Sequence, residues 1–284
     1  MQKDIVVFLT SRSSPEKCET ILKMLYGQCS SKNNFDIVVI VDDDEKNLYS
    51  QLISKYPEVI WEHPEHMGPH SPKIYEIIFK TVECNDYYFN WWVSDDWSGL
   101  SENWDLDILK LKDIFADGLF TLFQSDPMGR NLNALSSQFR RALHWRDGYR
   151  KPLVTDAPDL IYNYHELMPV MTKKWRLALR EFYTDDFKGP DYVFLNASLA
   201  HVLSVEHGYS RSVQCKWSYG ALVDNFNTSK VSFAGMSRDD FFWKYTRGEQ
   251  FSMIKPIAKK VANSIWQYYR DTMDKPRGIG KYAI

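Results

Sequence analysis

The sequence predicts an α/β protein built on an open, mostly parallel twisted sheet flanked by helices, with a C-terminal helical extension. Three observations predict it. Short continuous apolar runs at Asp4–Thr10, Phe35–Val41 and Tyr87–Val93 read as strands buried on both faces. The segments between them carry apolar residues at helical spacing. Two of the runs end abruptly in adjacent carboxylates, as strands do where an open sheet meets a ligand at its C-terminal edge.

The elements follow in order. The first strand, DIVVFLT, leads into the loop Thr10-Ser11-Arg12-Ser13-Ser14-Pro15. The next helix starts there, with Ser13 capping against Glu16 or Ser14 capping ahead of Pro15 at the first helical position. Cys18, Ile21, Leu22 and Leu25 form its inner face, and Gly27 is a plausible stop. FDIVVIV is the second strand and ends in Asp42-Asp43-Asp44. A helix over Glu45–Lys55 and a short strand over Glu58–Glu62 complete a β-α-β-α-β alternation. Right-handed crossovers bring the acidic residues after the second strand to the same edge as the loop after the first.

His63–Ser71 is a Pro/Gly-broken loop with His63, His66 and His70, weighed as ligand contacts against an ordinary polar loop. Ser71 caps a helix over Pro72–Val82 with Ile74, Ile77, Ile78 and Val82 turned inward. Tyr87–Trp97, YYFNWWVSDDW, is the stretch around which the rest is arranged. A buried aromatic strand ending in Asp95-Asp96 either meets a hard divalent cation, which takes oxygen ligands, or simply enters an acidic turn. A helix over Leu100–Phe115 and a strand over Gly118–Gln124 follow. Asp126–Lys151 has the composition of a loop beside the site. Helices are expected over Lys173–Phe182, Asp191–Val205 and Arg238–Tyr245, and one or two strands within Arg211–Phe233. A last amphipathic helix from Pro256 is expected to pack on the domain or touch a membrane surface or partner.

Composition narrows the class. The chain has 284 residues, is 44% hydrophobic and carries a net charge of −2, which excludes strong electrostatic attraction to nucleic acid. The four cysteines, Cys18, Cys29, Cys84 and Cys215, match no zinc-module spacing and read as reduced thiols. No apolar run has the length of a signal-peptide core or a membrane span, so the expected location is cytoplasmic.

The arrangement resembles a GT-A fold glycosyltransferase, a nucleotide-diphospho-sugar transferase of the family-2-like type. DIVVFLTSR resembles the opening strand and loop that meet the nucleotide, and FDIVVIVDDD the second strand with its base- or ribose-contacting carboxylate. YYFNWWVSDDW resembles the strand carrying the Asp-x-Asp or Asp-Asp element, and Trp104-Asp105 the W-D opening the next helix. The resemblance covers the first 125 residues or so, an estimate from the element count. It implies residues 1–250 as one transferase domain (1–125 binding the nucleotide-sugar, 126–250 the acceptor) and 251–284 as C-terminal helix and tail.

The resemblance also implies an activity: a sugar moved from a nucleotide-sugar, UDP-sugar foremost, to a hydroxyl of a saccharide or glycoconjugate, with Mn²⁺ or Mg²⁺ as cofactor. Such chemistry serves polysaccharide biosynthesis. Thr10, Arg12, Asp43, Asp44 and Asp95 are the implied nucleotide-sugar contacts, and Asp96 and His207 the metal ligands, with His201 second to His207. Asp191, in GPDYVFLN, is the implied general base of an inverting reaction, with Asp185 and Asp186 as competitors. The motif reads Ser94-Asp95-Asp96 rather than strict Asp-x-Asp, which leaves the division of labour between the two carboxylates open. Two alternatives remain. A sugar-phosphate nucleotidyltransferase shares the sheet but needs a Gly-rich phosphate loop, and Ser11–Pro15 has no glycine. A non-catalytic carbohydrate-binding protein on the same fold is the other.

Overall fold

The structure, a computed structural model, describes residues 3–66, 72–95, 97, 99–124, 170–180 and 212–215. Seven strands form one sheet in the order β3-β2-β1-β4-β6-β5-β7. They are β1 (Ile5–Thr10), β2 (Phe35–Ile40), β3 (Ile60–Glu62), β4 (Phe89–Ser94), β5 (Thr121–Gln124), β6 (Val170–Thr172) and β7 (Ser212–Cys215). β1 lies between β2 and β4, parallel to both, and β2 is parallel to β3. β6 runs against both its neighbours, β4 and β5, while β5 and β7 are parallel. The sheet is therefore mixed and mostly parallel, as the sequence implies, with one reversed strand wedged beside its central ribbon.

Strand alternation sorts the apolar runs onto two faces. Ile5, Val7 and Leu9 of β1, Ile37 and Val39 of β2, and Phe89, Trp91 and Val93 of β4 join one buried cluster. Cys18, Ile21, Leu22 and Leu25 of α1 (Pro15–Gly27) fill it from above, as their spacing predicts. Trp104, opening α4 (Trp104–Leu109), completes it, with its ring 4.9 Å from Phe35 and 5.9 Å from Trp91. On the other face α3 (Pro72–Cys84) buries Tyr75, Ile78, Phe79 and Val82, and Tyr75 meets Trp92 edge-on at 5.1 Å. Ile74 and Ile77, expected inward, are half-buried, because the larger rings of Tyr75 and Phe79 take the inner positions.

Several boundaries differ from expectation for local reasons. Residues Asp43–Tyr49 wind as a 3-10 helix, and only α2 (Ser50–Lys55) is α-helical. At three residues per turn Asp42 and Glu45 stack on one side, towards the loop after β1. Ser14 is the N-cap of α1 with Pro15 at its first turn, but its side chain makes no capping bond, and Ser13 bonds Glu45 rather than Glu16. The Leu100–Phe115 helix is shortened to α4, because left-handed Asn103 starts it and i→i+3 turns follow from Leu111 to Gly118.

β6 opens the helix α5 (Lys173–Arg180), where the Thr172 hydroxyl accepts from the Trp175 N–H at 3.2 Å as a cap. Fully buried Asn90 ties this unit to β4: its amide donates to the Met171 carbonyl at 3.0 Å, and its oxygen accepts from buried Arg176 at 2.6 Å. The helices expected over Asp191–Val205, Arg238–Tyr245 and from Pro256 lie outside the described residues, as do the division at residue 125/126 in most of its second half and the 251–284 tail. No helix among the described residues is long and apolar enough to cross a membrane.

Candidate nucleotide-sugar site

Three strands end together. Thr10 of β1 pairs with Ile40 of β2 on one side and Ser94 of β4 on the other. Ser11 and Asp95, the next residues, and Asp42, one position beyond Val41, are thus delivered to one sheet edge by register. The ladder runs slightly past the strands: Val41 donates to the Glu62 carbonyl at 3.0 Å, Ser11 to Ile40 at 3.2 Å and Asp95 to Thr10 at 3.1 Å. The Asp95 turn is then pinned by Trp97, whose N–H donates to the Ser94 carbonyl and whose ring returns to the core 5.7 Å from Trp91. Such aromatic pairs are worth about 0.5–1.5 kcal/mol beyond the area they bury. The turn's acidic tip therefore stands on a buried tryptophan at each end.

The acidic residues after β2 surround Arg12. Its guanidinium donates to Asp42 Oδ2 at 2.5 Å and, through both terminal nitrogens, to Asp44 at 3.0 and 2.9 Å. Glu45 lies 3.8 Å from Arg12 Nε and receives the Ser13 N–H and hydroxyl. The Arg12 guanidinium holds the Asp44 carboxyl below the usual carboxylate range. His66 Nδ1 is 2.8 Å from Asp42 Oδ2 and 3.1 Å from Arg12. Facing a carboxylate and a guanidinium, that nitrogen carries its proton towards Asp42, because Arg12 has no acceptor to offer. The His66 N–H also reaches Asp43 Oδ1 at 3.3 Å. Asp42, Asp44 and His66 present ligand atoms within 4.8 Å of one another, a geometry that suits a metal ion, yet Arg12 already supplies the positive charge there.

Asp95 is held from a different side. Its Oδ2 accepts the Ser11 hydroxyl at 2.6 Å. Ser11 is in turn 2.8 Å from the Tyr49 hydroxyl, which accepts the Ser14 N–H at 3.1 Å. Thr10, between these groups, accepts from Trp92 Nε1 at 3.1 Å through its hydroxyl.

Of the residues implied by the sequence, the structure brings Thr10, Arg12, Asp43, Asp44 and Asp95 to this one edge. Asp96, Asp191 and His207, together with Asp185, Asp186 and His201, lie outside the described residues. Sequence reasoning passed over Asp42, Ser11 and Tyr49. Asp42 is the buried member of its triplet, and its place as the first residue after the ladder was a usable signal. Tyr49 reaches Ser11 across 38 positions and left no local trace. His66, weighed only as one of three loop histidines, joins the cluster, whereas His63 contacts the Val41 carbonyl at 3.2 Å.

Comparison with known proteins agrees with this topology. The chain is similar to the S. aureus protein TarS, residues 1–349, solved in complex with UDP: 15% identity, TM-score 0.50, covering 95% of this chain and 72% of that one. It also matches the Mycobacterium tuberculosis glucosyl-3-phosphoglycerate synthase, solved with Mn²⁺, UDP and glucosyl-3-phosphoglycerate, at 10% identity and TM-score 0.49 over 77% of this chain and 71% of that one. A Pyrobaculum calidifontis mannosyltransferase in complex with GDP-Man and Mn²⁺ matches at 10% identity and TM-score 0.46, over 97% and 77%. No family model and no curated protein matches the sequence. The sheet order, the reversed β6 and the likeness to TarS together give this chain a GT-A-type fold.

Proposed function

We propose that this protein is a metal-dependent glycosyltransferase that moves a sugar from a nucleotide-sugar, UDP-sugar foremost, to a hydroxyl of a saccharide or glycoconjugate. The observation that carries the reading is the convergence of Asp42–Asp44, Ser11–Arg12 and Asp95 at the shared ends of β2, β1 and β4. Asp43 and Asp44 accept hydrogen bonds from the base or ribose, with Arg12 fixing the Asp44 carboxylate in place. Arg12 is held by Asp42 and Asp44 and stands ready to share its remaining donors with the diphosphate.

Carboxylate oxygens with an imidazole form a donor set that suits Mn²⁺ or Mg²⁺. Arg12 already neutralises Asp42 and Asp44, and the family resemblance implies Asp96 and His207 as the residues that would hold the ion. When bound it neutralises charge on the departing nucleoside diphosphate as a Lewis acid. Asp191 takes the proton from the acceptor hydroxyl, and the product is inverted. This general-base step is worth about 10²–10⁴-fold in rate.

The test is a thermal-shift screen of UDP-, GDP-, CMP- and dTDP-sugars with and without Mn²⁺. A ligand that binds the folded state alone stabilises it by about 2.7 kcal/mol at a hundredfold excess over its Kd. A metal-requiring shift for one nucleotide class is the expected result, and Asp96→Ala should abolish that metal-dependent shift. A flat response to every donor sinks the reading. A sugar that binds while no nucleotide does would favour a carbohydrate-binding protein instead.

A further inference from the structure

We propose that Tyr49 and Ser11 form a one-way hydrogen-bond relay that positions the Asp95 carboxylate for a metal–nucleotide complex. This rests on the transferase reading above. The direction of the relay follows from donor counting. An ionised carboxylate can only accept, so the single Ser11 hydroxyl hydrogen goes to Asp95 Oδ2, at 2.6 Å. Ser11 Oγ can then only accept from Tyr49, at 2.8 Å, so the phenol must donate. Its own oxygen lone pair is met by the Ser14 N–H at 3.1 Å. The chain of donation therefore runs Ser14 N–H, Tyr49 O–H, Ser11 O–H, Asp95, and the Cys18 thiol, which also bonds Ser11, does not reverse it because Ser11 has no second hydrogen to give.

The surroundings keep that direction. Tyr49 is fully buried, and burial pushes its phenol up to about 12, so it retains its hydrogen across ordinary pH. Cys18, on α1, lies against the same wall. Burial first, and the Asp95 charge second, push its thiol up to about 12, so it stays neutral. Ser11 is 6% exposed, which places its bond to Asp95 in a medium where a charged hydrogen bond is strong. With Oδ2 held, rotation of the carboxylate is restricted, and the direction of its other oxygen is set before any ligand arrives. Tyr49 is the last residue of the 3-10 segment that begins at Asp43, so the relay also joins the β2 edge to the Asp95 turn. Tyr49 and Ser11 thus act as positioning residues, through Asp95.

The experiment compares wild type, Ser11→Ala and Tyr49→Phe in the full chain by calorimetry, with UDP and with GDP, each with and without Mn²⁺. The informative quantity is the factor by which Mn²⁺ tightens nucleotide binding, since a merely structural defect would weaken metal-free binding as well. Ser11→Ala should cut that factor by about tenfold and Tyr49→Phe by about threefold, the sizes expected for losing a charged and a neutral hydrogen bond. Metal-free affinity should fall by less than that factor in both, since Asp95 is itself a proposed nucleotide contact and Mn²⁺ draws the nucleotide closer to it. Tyr49→Phe keeps the buried ring, so it reports on the hydroxyl even if Ser11→Ala melts early. Wild-type enhancement retained in both variants overturns the relay alone. A larger loss in Tyr49→Phe than in Ser11→Ala overturns its direction. A wild-type chain showing no Mn²⁺ enhancement with either nucleotide overturns the relay and the transferase reading together.

Discussion

Asp105 and the Asp42–Asp44 cluster hold carboxylates at opposite ends of the same sheet, by opposite means. Asp105, at the start of α4, is 0% exposed and receives four donors: the Ser30 N–H at 2.8 Å, the Ser30 hydroxyl at 2.6 Å, the Ser31 N–H at 3.2 Å and Asn34 Nδ2 at 2.7 Å. All four are neutral. Asp42 and Asp44 are instead gathered around Arg12 and His66 at the rim. A buried carboxylate saturated by dipoles has no capacity left for a ligand and fixes a loop, here the one joining α1 to β2. A rim carboxylate balanced by an exposed cation can exchange that partner. The difference teaches which acidic residues of this chain fasten it and which remain able to bind.

The comparison can be broken most severely at Asp105. Asp105→Asn presents an NH₂ to donors and leaves several unsatisfied at about 1–3 kcal/mol each, so a loss of about 3 kcal/mol is expected in urea unfolding. Nucleotide binding per folded molecule should not change. A loss below about 1 kcal/mol would remove Asp105 from its fastening role. Arg12→Gln should do the reverse: a smaller change in melting, about 1 kcal/mol, since Arg12 is exposed and its pair with Asp44 lies at the surface, but about tenfold weaker nucleotide binding by calorimetry, the effect of about 1.4 kcal/mol.

Acid separates the two ends further. Burial pushes the Asp105 carboxyl up, but the bonds from Ser30, Asn34 and Ser31 outweigh it and leave its pKa below the ordinary value. A folded-state pKa below the unfolded one gives stability that is complete above the unfolded value, about 3.9, and is lost as pH falls through the folded one. The urea midpoint of wild type should therefore fall below about pH 4 more steeply than that of Asp105→Asn; parallel curves would contradict the assignment. The smallest effect is that of salt. In 1 M NaCl, where the Debye length is about 3 Å, the small melting difference between wild type and Arg12→Gln should vanish, while the Asp105→Asn difference persists.

Legibility in the sequence follows the same division. β1, β2 and β4 could be read because strands buried on both faces write continuous apolar runs, and α1 because its inner face repeats at helical spacing. β7 falls within Arg211–Phe233, where one or two strands are expected, but at four residues its bounds are not legible; β6, at three residues, writes no such run, and nothing local announces that it is reversed. At the site, Asp95 stood out because carboxylates ending an aromatic strand are costly without a role. Asp105 was noted as part of a Trp-Asp pair, but its partners 71 to 75 positions away cannot be inferred from spacing. Ser11 and Tyr49 escaped for the same reason. Their bonds, across 84 and 38 positions, exist only after three strands have met.

The six consecutive rungs joining β1 to β4, from Ile5–Phe89 to Thr10–Ser94, make the placement of Asp95 a matter of counting. Apolar side chains along these strands can be exchanged for others that fill the same buried space without moving Asp95, as long as the number of rungs does not change. A single-residue deletion between Phe89 and Ser94 would be far less forgiving than any substitution there. It would draw Asp95 back by one rung, about 3.3 Å, turn its carboxylate to the opposite face and part it from Ser11, while every other chemical group of the site stayed in the chain.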